Sequence, residues 1–310
     1  MELIAALDVG GTTLKGLVTR SGEVVAERRW PTPRDGGPER MVSAVLDAAQ
    51  QLCDLCGSVA GQRPDAVGVA ALGLVDAETG VALRSSTVGW SDVPLAGLVR
   101  ARVGVPVFLS HDIAAAASAE VALLGDDTQN VLFLAIGTGI GATVVVDGVP
   151  VGGAHHRAGE IGHVPVTGGV LPCGCGRHGC LETLASGRAI GEAYATRSGR
   201  AGTTAHQVAV AAAAGDAVSV EVWRRATDAL AEVLATCSMI LDPSTIVVGG
   251  GLSHAGPQLL APVAEGIRAR LPFPGAPAVV AARLGDRAAM LGAATIAAER
   301  LAALAQEQPA

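Results

Sequence analysis

The sequence predicts an α/β protein built from two similar halves. Short apolar strands alternate with longer segments of helical periodicity along the chain. Glycine-rich turns follow three of the strands, and two of these turns lead into another strand instead of a helix. The three turns are at Asp8–Thr12, Gly137–Gly141 and Gly249–Gly251.

The first half opens with three predicted strands, LIAALDVGG (3–11), LKGLVTR (14–20) and EVVAERRW (23–30), with a turn at Ser21–Gly22 between the last two. Residues 39–57 have helical periodicity and reach a glycine. Further along, strands are expected in DAVGVAALGLVD (65–76) and VPVFLSHD (105–112), and an alanine-rich helix in IAAAASAEVALLG (113–125).

The second half begins with two strands in NVLFLAIGTGIGATVVVDG (130–148). The DG at the end of this segment is a hairpin turn. Long helices follow through 186–241, then strands in STIVVGGGLS (244–253) and AVVAARL (278–284) and a last helix (288–306). We therefore expect an N-terminal domain over 1–112 and a larger domain over 113–287. The C-terminal helix, 288–310, is expected to complete the first domain.

Composition excludes several function classes. Of the 310 residues, 50% are hydrophobic and 16% charged, which argues against disorder. The net charge is −7 and the 22 basic residues do not cluster, so no nucleic-acid partner is expected. The N-terminus lacks signal-peptide features, and no apolar run of about 18 residues is free of charges or Gly/Pro breaks, so no membrane span is expected. Six cysteines without an export signal indicate the cytoplasm.

The first glycine turn, DVGGT, has the residue types of an anion site. Gly10 and Gly11 let backbone N–H groups approach a phosphate, and the Thr12 hydroxyl adds a donor. Asp8 is a candidate ligand for Mg²⁺. An ordinary hairpin turn is the alternative, but three such turns in one chain favour a nucleotide site. Neither a P-loop nor a dinucleotide fingerprint is present, because GxxxxGK[ST] is absent and a strand follows the turn.

The segment CGCGRHGCLE contains three thiols in the pattern C-x-C-x4-C, at Cys173, Cys175 and Cys180. An odd number of thiols argues against disulfides, and a thioredoxin-like site would have C-x-x-C at a helix start. A structural zinc site needs four ligands. Cys53 and Cys56 do form C-x-x-C, but inside a predicted amphipathic helix, so we interpret them and Cys237 as core thiols.

The chain resembles the ROK-family sugar kinases, of the bacterial glucokinase and N-acetylhexosamine kinase type. The motifs that carry the resemblance are DVGGT (8–12), SHD (110–112), AIGTGIG (135–141), AGEIGH (158–163), CGCGRHGCLE (173–182), DPSTIVVGGGLS (242–253) and LGDRAAMLGAA (284–294). The resemblance implies an actin/hexokinase-like (ribonuclease H-like) ATPase duplication with a cleft between two domains. It also implies transfer of phosphate from ATP to a hexose, usually at the 6-hydroxyl, by a homodimer or homotetramer.

Site residues follow from the same resemblance. Asp112 is the expected catalytic base, although it also suits the start of the following helix as a cap. The residues expected at ATP and Mg²⁺ are Asp8, Gly10, Gly11, Thr12, Thr13, Gly137, Thr138, Gly139, Gly250 and Gly251. The residues expected to bind structural Zn²⁺ are His163, Cys173, Cys175 and Cys180, with His178 as an exposed alternative. The residues expected at the sugar are His111, Glu160, His163 and Glu182.

Two other expectations concern charged residues in these motifs. Glu160 and Glu182 together suggest a glycosidase carboxylate pair, but that reading leaves the glycine turns unexplained. Lys15 follows the first turn by a few residues in a strand and is expected to be a surface charge.

The chain departs from the family pattern on the sugar side. His111 stands where asparagine is common, Ala114 replaces a second asparagine, Ser86 and Thr87 replace Asn-Leu, and Leu72 replaces a proline. Histidine is larger than asparagine and titrates near neutral pH. We therefore expect a modified glucose as acceptor, such as an amino sugar altered at carbon 3 (3-amino-3-deoxyglucose-like). The alternatives are an ordinary glucokinase with drifted sugar contacts and a non-catalytic ROK sugar sensor. ROK repressors carry a helix-turn-helix before the first glycine turn. Here that turn starts at Asp8, which leaves no room for one, so we expect no DNA binding.

Overall fold

The computed structural model describes residues 2–33, 35–125 and 128–307, which form two compact units. The first unit comprises Met1–Ala119, Ala154–His156 and Asp286–Ala310, and the second comprises Glu120–Gly153 and Arg157–Gly285.

The described residues form the following strands and helices. The strands are β1 (Leu3–Val9), β2 (Thr13–Arg20), β3 (Glu23–Pro31), β4 (Ala66–Ala71), β5 (Leu74–Asp76), β6 (Val81–Arg84), β7 (Ser91–Val93), β8 (Val107–His111), β9 (Val131–Ile136), β10 (Ile140–Val146), β11 (Val149–Pro150), β12 (Thr245–Gly249) and β13 (Ala278–Ala281). The helices are α1 (Gly37–Ala60), α2 (Leu95–Val103), α3 (Asp112–Val121), α4 (Glu182–Ala185), α5 (Gly187–Ser198), α6 (Ala205–Ala213), α7 (Ala217–Leu241), α8 (Pro257–Arg270) and α9 (Ala288–Glu307).

The first unit is built on a five-stranded sheet of order β3-β2-β1-β4-β8. Strand β2 is antiparallel to β1 and β3, whereas β4 and β8 run parallel to β1. Alternate residues of β1 belong to different cores: Leu3 and Leu7 pack with α1 and α2, and Ile4 packs with Met290 of α9. Because helices cover both faces, every residue of β1 is buried, which explains its continuous apolar sequence.

The second unit repeats this topology with a sheet of order β11-β10-β9-β12-β13. Strand β10 is antiparallel to β9, and β12 and β13 run parallel to β9, as in the first unit. The main core of this unit lies around α7, where Trp223 and Leu230 pack with Leu132 and Ile246 of the sheet. The two similar halves expected from the glycine turns are thus present as two sheets of the same topology.

Hairpin turns occur where the sequence predicts them. Ser21 and Gly22 have φ of 49° and 85°, and Asp147 and Gly148 have φ of 50° and 76°. Two consecutive residues with positive φ match the twist of antiparallel strands, and Gly or Asp tolerates that conformation best. Both hairpins therefore follow from local sequence.

Several elements differ from the prediction. Helix α1 continues past Gly57 to Ala60 and ends at Gly61, whose φ is 70° and whose N–H donates to the Gly57 carbonyl. The single strand expected over 65–76 is broken at Gly73, with φ of 89°, into β4 and β5. Helices α2 and α8 are additional to the predicted elements. Helix α8 contains Pro262, which disguises it in the sequence.

Helix α9 returns to the first unit and packs on β1, β4 and β8. Gly292 of α9 lies directly against the carbonyl of Ala115 in α3, so a Cβ there would overlap the backbone. The first unit includes α3 as far as Ala119. By length and composition alone, residues 285–306 could cross a membrane. In the structure, the apolar face of α9 covers a sheet of the unit, as a core helix does.

Gly292→Ala is expected to lower the free energy of unfolding by about 1–3 kcal/mol, because the added methyl must push α9 away from α3. Gly57→Ala is the matched control, a helical glycine with open space beside it. It should raise stability by about 0.5–1 kcal/mol, since alanine loses less backbone entropy. Urea unfolding followed by circular dichroism measures both, and equal effects would contradict the packing argument.

Candidate active site

Asp8 lies at the end of β1 with a cation beside it. The antiparallel register places Lys15 of β2 directly opposite Asp8, and Lys15 Nζ is 3.8 Å from Asp8 Oδ2. The same Nζ is 3.7 Å from Asp286 Oδ2, which also pairs with Arg29 at 3.4 Å. Only 19% of the Lys15 side chain is exposed. The expectation that Lys15 is a surface charge is therefore wrong, because strand register sets its environment.

The Asp8 carboxyl has a strongly raised pKa. Burial and then the negative charge of Asp112 raise the pKa of Asp8 to about 7, while Lys15 opposes the shift. A nearby positive charge would stabilise the ionised form of a carboxylate in this setting. Asp8 thus has the chemistry of a ligand for a divalent cation.

Asp112 follows β8 and begins α3. Its Oδ1 accepts a hydrogen bond from the Ile113 N–H at 2.8 Å and lies 3.3 Å from His111 Nε2. Burial raises the pKa of Asp112, and the neighbouring His111 opposes that shift. Since 29% of its side chain remains accessible, this carboxylate combines restricted hydration with access for a reactant. Its position at the first turn of α3 is compatible with both the cap and the base.

The turn between β1 and β2 is held by its neighbours. The Thr32 hydroxyl donates to the Gly10 carbonyl at 2.7 Å, and the Thr32 N–H donates to the Thr12 carbonyl at 3.2 Å. A Cβ on Gly11 would lie 2.7 Å from Thr87 Cγ2. Gly11 and Thr12 are exposed, and Thr13 begins β2. The turn is thus an exposed backbone loop, and glycine is required at Gly10, where a Cβ would lie 2.8 Å from the Thr13 carbonyl oxygen.

The equivalent turn in the second unit connects β9 to β10. The Gly137 N–H donates to the Gly139 carbonyl at 2.9 Å, and the Gly187 N–H donates to the Gly137 carbonyl at 2.8 Å. The Ile140 N–H donates to Glu182 Oε2 at 2.9 Å. We call this segment, residues 137–140, the β9–β10 turn.

A cavity of about 780 Å³ adjoins this turn within the second unit. Of the residues predicted to contact the nucleotide, Gly137, Thr138 and Gly251 line it. At Gly139 and Gly250 the packing is close, because a Cβ on Gly139 would meet Glu182 Oε2 and one on Gly250 would meet the backbone of Ile136. The other lining residues are Gly187, Arg188, Gly191, Glu192, Ala195, Ala201, Gly202, Thr203, Thr204, Ala205, His206 and Leu252.

Sequence reasoning missed this helical wall of the cavity. Its only local signal is Ser186, which caps α5 by accepting from the Ala189 N–H at 3.1 Å and brings Gly187 next to Gly137. Small residues at 187, 191 and 195, spaced by about one helical turn, line the cavity, and a Cβ on Gly191 would lie 2.6 Å from the Thr203 carbonyl oxygen. That pattern is also typical of tight helix packing, so it does not identify a cavity by itself.

The thiol cluster (Cys173, Cys175 and Cys180) lies beside His163. The four ligand atoms are all within 4.8 Å of one another, and His178 is exposed and outside the group. Cys173 Sγ is 3.5 Å from His163 Nδ1, and Cys175 Sγ is 3.6 Å from Cys180 Sγ. Tetrahedral zinc with bonds of about 2.0–2.3 Å would hold its ligands roughly 3.5–3.8 Å apart. The spacing therefore fits Zn²⁺.

The chemistry of the thiols agrees with a cation at this place. Burial and the adjacent thiols raise the pKa of Cys180 to about 12, whereas the Arg177 backbone N–H lowers the pKa of Cys175. Crowded thiols resist ionisation until a metal supplies the compensating charge. All six cysteines are free, and Cys53, Cys56 and Cys237 are buried in helices, which confirms their interpretation as core thiols.

Glu160 and Glu182 differ in their surroundings. Glu160 is exposed over 43% of its side chain, and its Oε2 is 3.7 Å from Nε2 of His163, the nitrogen that faces away from the thiols. A partner on that nitrogen would fix the ring as a metal ligand. Glu182 is instead bonded to the backbone of the β9–β10 turn.

Comparisons with known proteins cover nearly the whole chain. The model of the ROK family matches residues 4–300. A glucokinase from Streptomyces coelicolor is 32% identical over 96% of this chain and 98% of its own, and an N-acetylmannosamine kinase from Yersinia pestis is 33% identical over 81% and 83%. The structure of a ROK family glucokinase from Streptomyces griseus, in complex with glucose and AMPPNP, has a TM-score of 0.78 at 30% identity, over 96% and 99%. These matches confirm the resemblance and the hexokinase-like fold predicted from the motifs.

Purified protein is expected to contain about one zinc ion per chain, because four suitable ligand atoms already lie at zinc spacing. Cys180→Ser should lose the metal, whereas Cys53→Ser, a buried thiol of α1, should retain it. Elemental analysis after gel filtration measures the content. Equal zinc in both variants would show that the thiol cluster is not the metal site.

Proposed function

Since the chain belongs to the ROK family, we propose that it is an ATP-dependent hexose kinase acting on the 6-hydroxyl of glucose or a modified glucose. The observation that carries the proposal is the pair of carboxylates at the ends of β1 and β8. Burial raises the pKa of both carboxyls, and the negative charge of Asp112 raises that of Asp8 further. Phosphoryl transfer uses one such group for the metal and one for the proton.

Asp112 is the proposed general base. Its carboxylate would accept the proton of the sugar hydroxyl as the oxygen attacks the γ-phosphorus. The Ile113 N–H and His111 both bond Oδ1 and so orient the group. A raised pKa makes the carboxylate a stronger proton acceptor than an ordinary surface aspartate.

Asp8 is the proposed ligand for Mg²⁺, directly or through water. A buried carboxylate with a raised pKa fits a cation that supplies the missing positive charge. When bound, Mg²⁺ neutralises charge on the transferring phosphate. Lys15 keeps the carboxylate oriented from the opposite strand.

ATP is proposed to use the glycine turns and the cavity of the second unit. Backbone amides in glycine turns suit phosphate oxygens, and a cavity of about 780 Å³ is large enough for a nucleoside. Gly137, Thr138 and Gly251 are shared by the turns and the cavity. In this proposal Gly10, Gly11, Thr12 and Thr13 contribute from the other hairpin.

The sugar is proposed to bind Glu160, His163, Glu182 and His111. Zinc would hold His163 and the thiol cluster in place without activating a reactant, since four protein ligands leave no open position. His111 supports a modified sugar, because its ring is directed toward Asp112 and offers a donor or acceptor that differs from an asparagine amide. Six free thiols support a cytoplasmic location. A homodimer or homotetramer stays a prediction.

Asp112→Asn is expected to lower kcat by about 10²–10⁴-fold, because the amide cannot accept the hydroxyl proton. Sugar affinity by calorimetry should change little. Asp47→Asn, a surface carboxylate of the same unit paired with Arg102, is the control and should keep full activity. Full ATP-dependent phosphorylation by Asp112→Asn would remove Asp112 from its role, and no phosphorylation of any sugar by the wild type would refute the kinase.

A panel of hexoses and aminohexoses tests the acceptor. A modified glucose is expected to have the highest kcat/KM, and His111→Asn should shift preference toward glucose by about tenfold or more, since a matched hydrogen bond is restored. Ser86→Ala serves as a control for unspecific change near the sugar motif. If glucose is already the best substrate of the wild type, the modified-sugar proposal is wrong and an ordinary glucokinase remains.

A further inference from the structure

We propose that Glu182 is a positioning residue for the nucleotide: it holds the β9–β10 turn in the shape that presents its amides to phosphate. The inference rests on the proposed function, because it assumes that the turn contacts ATP. It assigns Glu182 a task on the phosphate side in addition to the sugar contact that the family pattern implies.

The hydrogen bond is direct and the packing around it is close. Glu182 Oε2 accepts from the Ile140 N–H at 2.9 Å, at the first residue of β10. A Cβ on Gly139 would lie 2.5 Å from the same oxygen, so the turn passes against the carboxylate. A charged acceptor bonded to a backbone amide is among the stronger protein hydrogen bonds. The carboxylate therefore determines where the turn ends and the strand begins.

The other end of the turn is held by the same segment. The Gly187 N–H donates to the Gly137 carbonyl at 2.8 Å. Between Glu182 and Gly187 the chain forms α4 and the fully buried Ser186, which caps α5. Two bonds from one short, buried segment thus fix both ends of the turn.

A second segment, residues 159–163, also contacts the start of β10. The Ala142 N–H donates to the Gly159 carbonyl at 2.9 Å, and Gly162 lies against the Ile140 carbonyl. This second segment ends at His163, whereas the first begins two residues after Cys180. The four candidate zinc ligands therefore join the two segments that hold the start of β10. The thiol cluster is connected to the turn through Glu182.

Calorimetric titration with the magnesium complex of AMP-PNP, without sugar, measures the nucleotide side alone. Glu182→Ala is expected to weaken nucleotide binding about tenfold, because the Ile140 amide loses its charged acceptor and the turn relaxes. Glu182→Gln should stay within about threefold of the wild type, since the amide oxygen can still accept. Glu221→Ala is the control: it removes an exposed carboxylate of the same unit, paired with Arg197 at 2.6 Å, and should leave nucleotide affinity unchanged.

Zinc content and hydrogen exchange separate this role from general damage. Glu182→Ala should keep its zinc, and the Ile140 amide should exchange faster than in Glu182→Gln. If Glu182→Ala does not fold, Glu182→Asp replaces it, because a side chain shorter by one methylene no longer reaches the amide.

Unchanged nucleotide affinity in Glu182→Ala, with only sugar affinity reduced, would overturn the inference. Failure of the wild type to bind AMP-PNP would instead refute the proposed function. In that case, the exchange of the Ile140 amide still decides whether Glu182 holds the turn.

Discussion

Burial of the Asp8 carboxyl is the constraint on which the first unit's site depends. Asp8 lies near the end of β1 and Asp112 directly follows β8, on either side of β4; burial contributes most to the raised pKa of Asp8, and the negative charge of Asp112 adds to it. Lys15 opposes part of this shift because the strand register places it opposite Asp8. Asp286, from the C-terminal segment of the unit, pairs with both Lys15 and Arg29. In the protein alone, ionising both carboxylates is unfavourable. A bound cation would compensate their negative charge, which suits a site for metal-bound phosphate.

Glu182 and Glu120, unlike Asp8, are stabilised by backbone amides. Glu182 accepts from Ile140, and Glu120, which is only 2% exposed, accepts from the N–H groups of Arg283 and Leu284 at 2.7–2.9 Å. Glu120 lies near the C-terminal end of α3, and Asp112 begins the same helix. One end of α3 is therefore fixed to the segment that precedes α9, and its middle is fixed by Gly292.

Features with a local cause in the sequence could be predicted, whereas features that depend on contacts between distant residues could not. The hairpins at Ser21–Gly22 and Asp147–Gly148 follow from turn residues, and the ROK motifs located the thiol cluster before its geometry was known. Gly73 illustrates the opposite case: its positive φ breaks a strand that looks continuous in sequence. Lys15 was misjudged because its partner Asp8 lies across a strand pair. The cavity wall formed by α5 was missed because spaced small residues indicate close packing as readily as open space.

His111 shows why the acceptor cannot be read from the motifs one residue at a time. Its Nε2 lies 3.3 Å from Asp112 Oδ1, so the side chain that departs from the family pattern also touches the proposed base. The charge of His111 opposes the burial that raises the pKa of Asp112, and so weakens this carboxylate as a proton acceptor. An asparagine side chain carries no charge and has no such effect. Exchange of asparagine for histidine therefore alters the hydrogen bonds offered to the sugar and the basicity of Asp112 together.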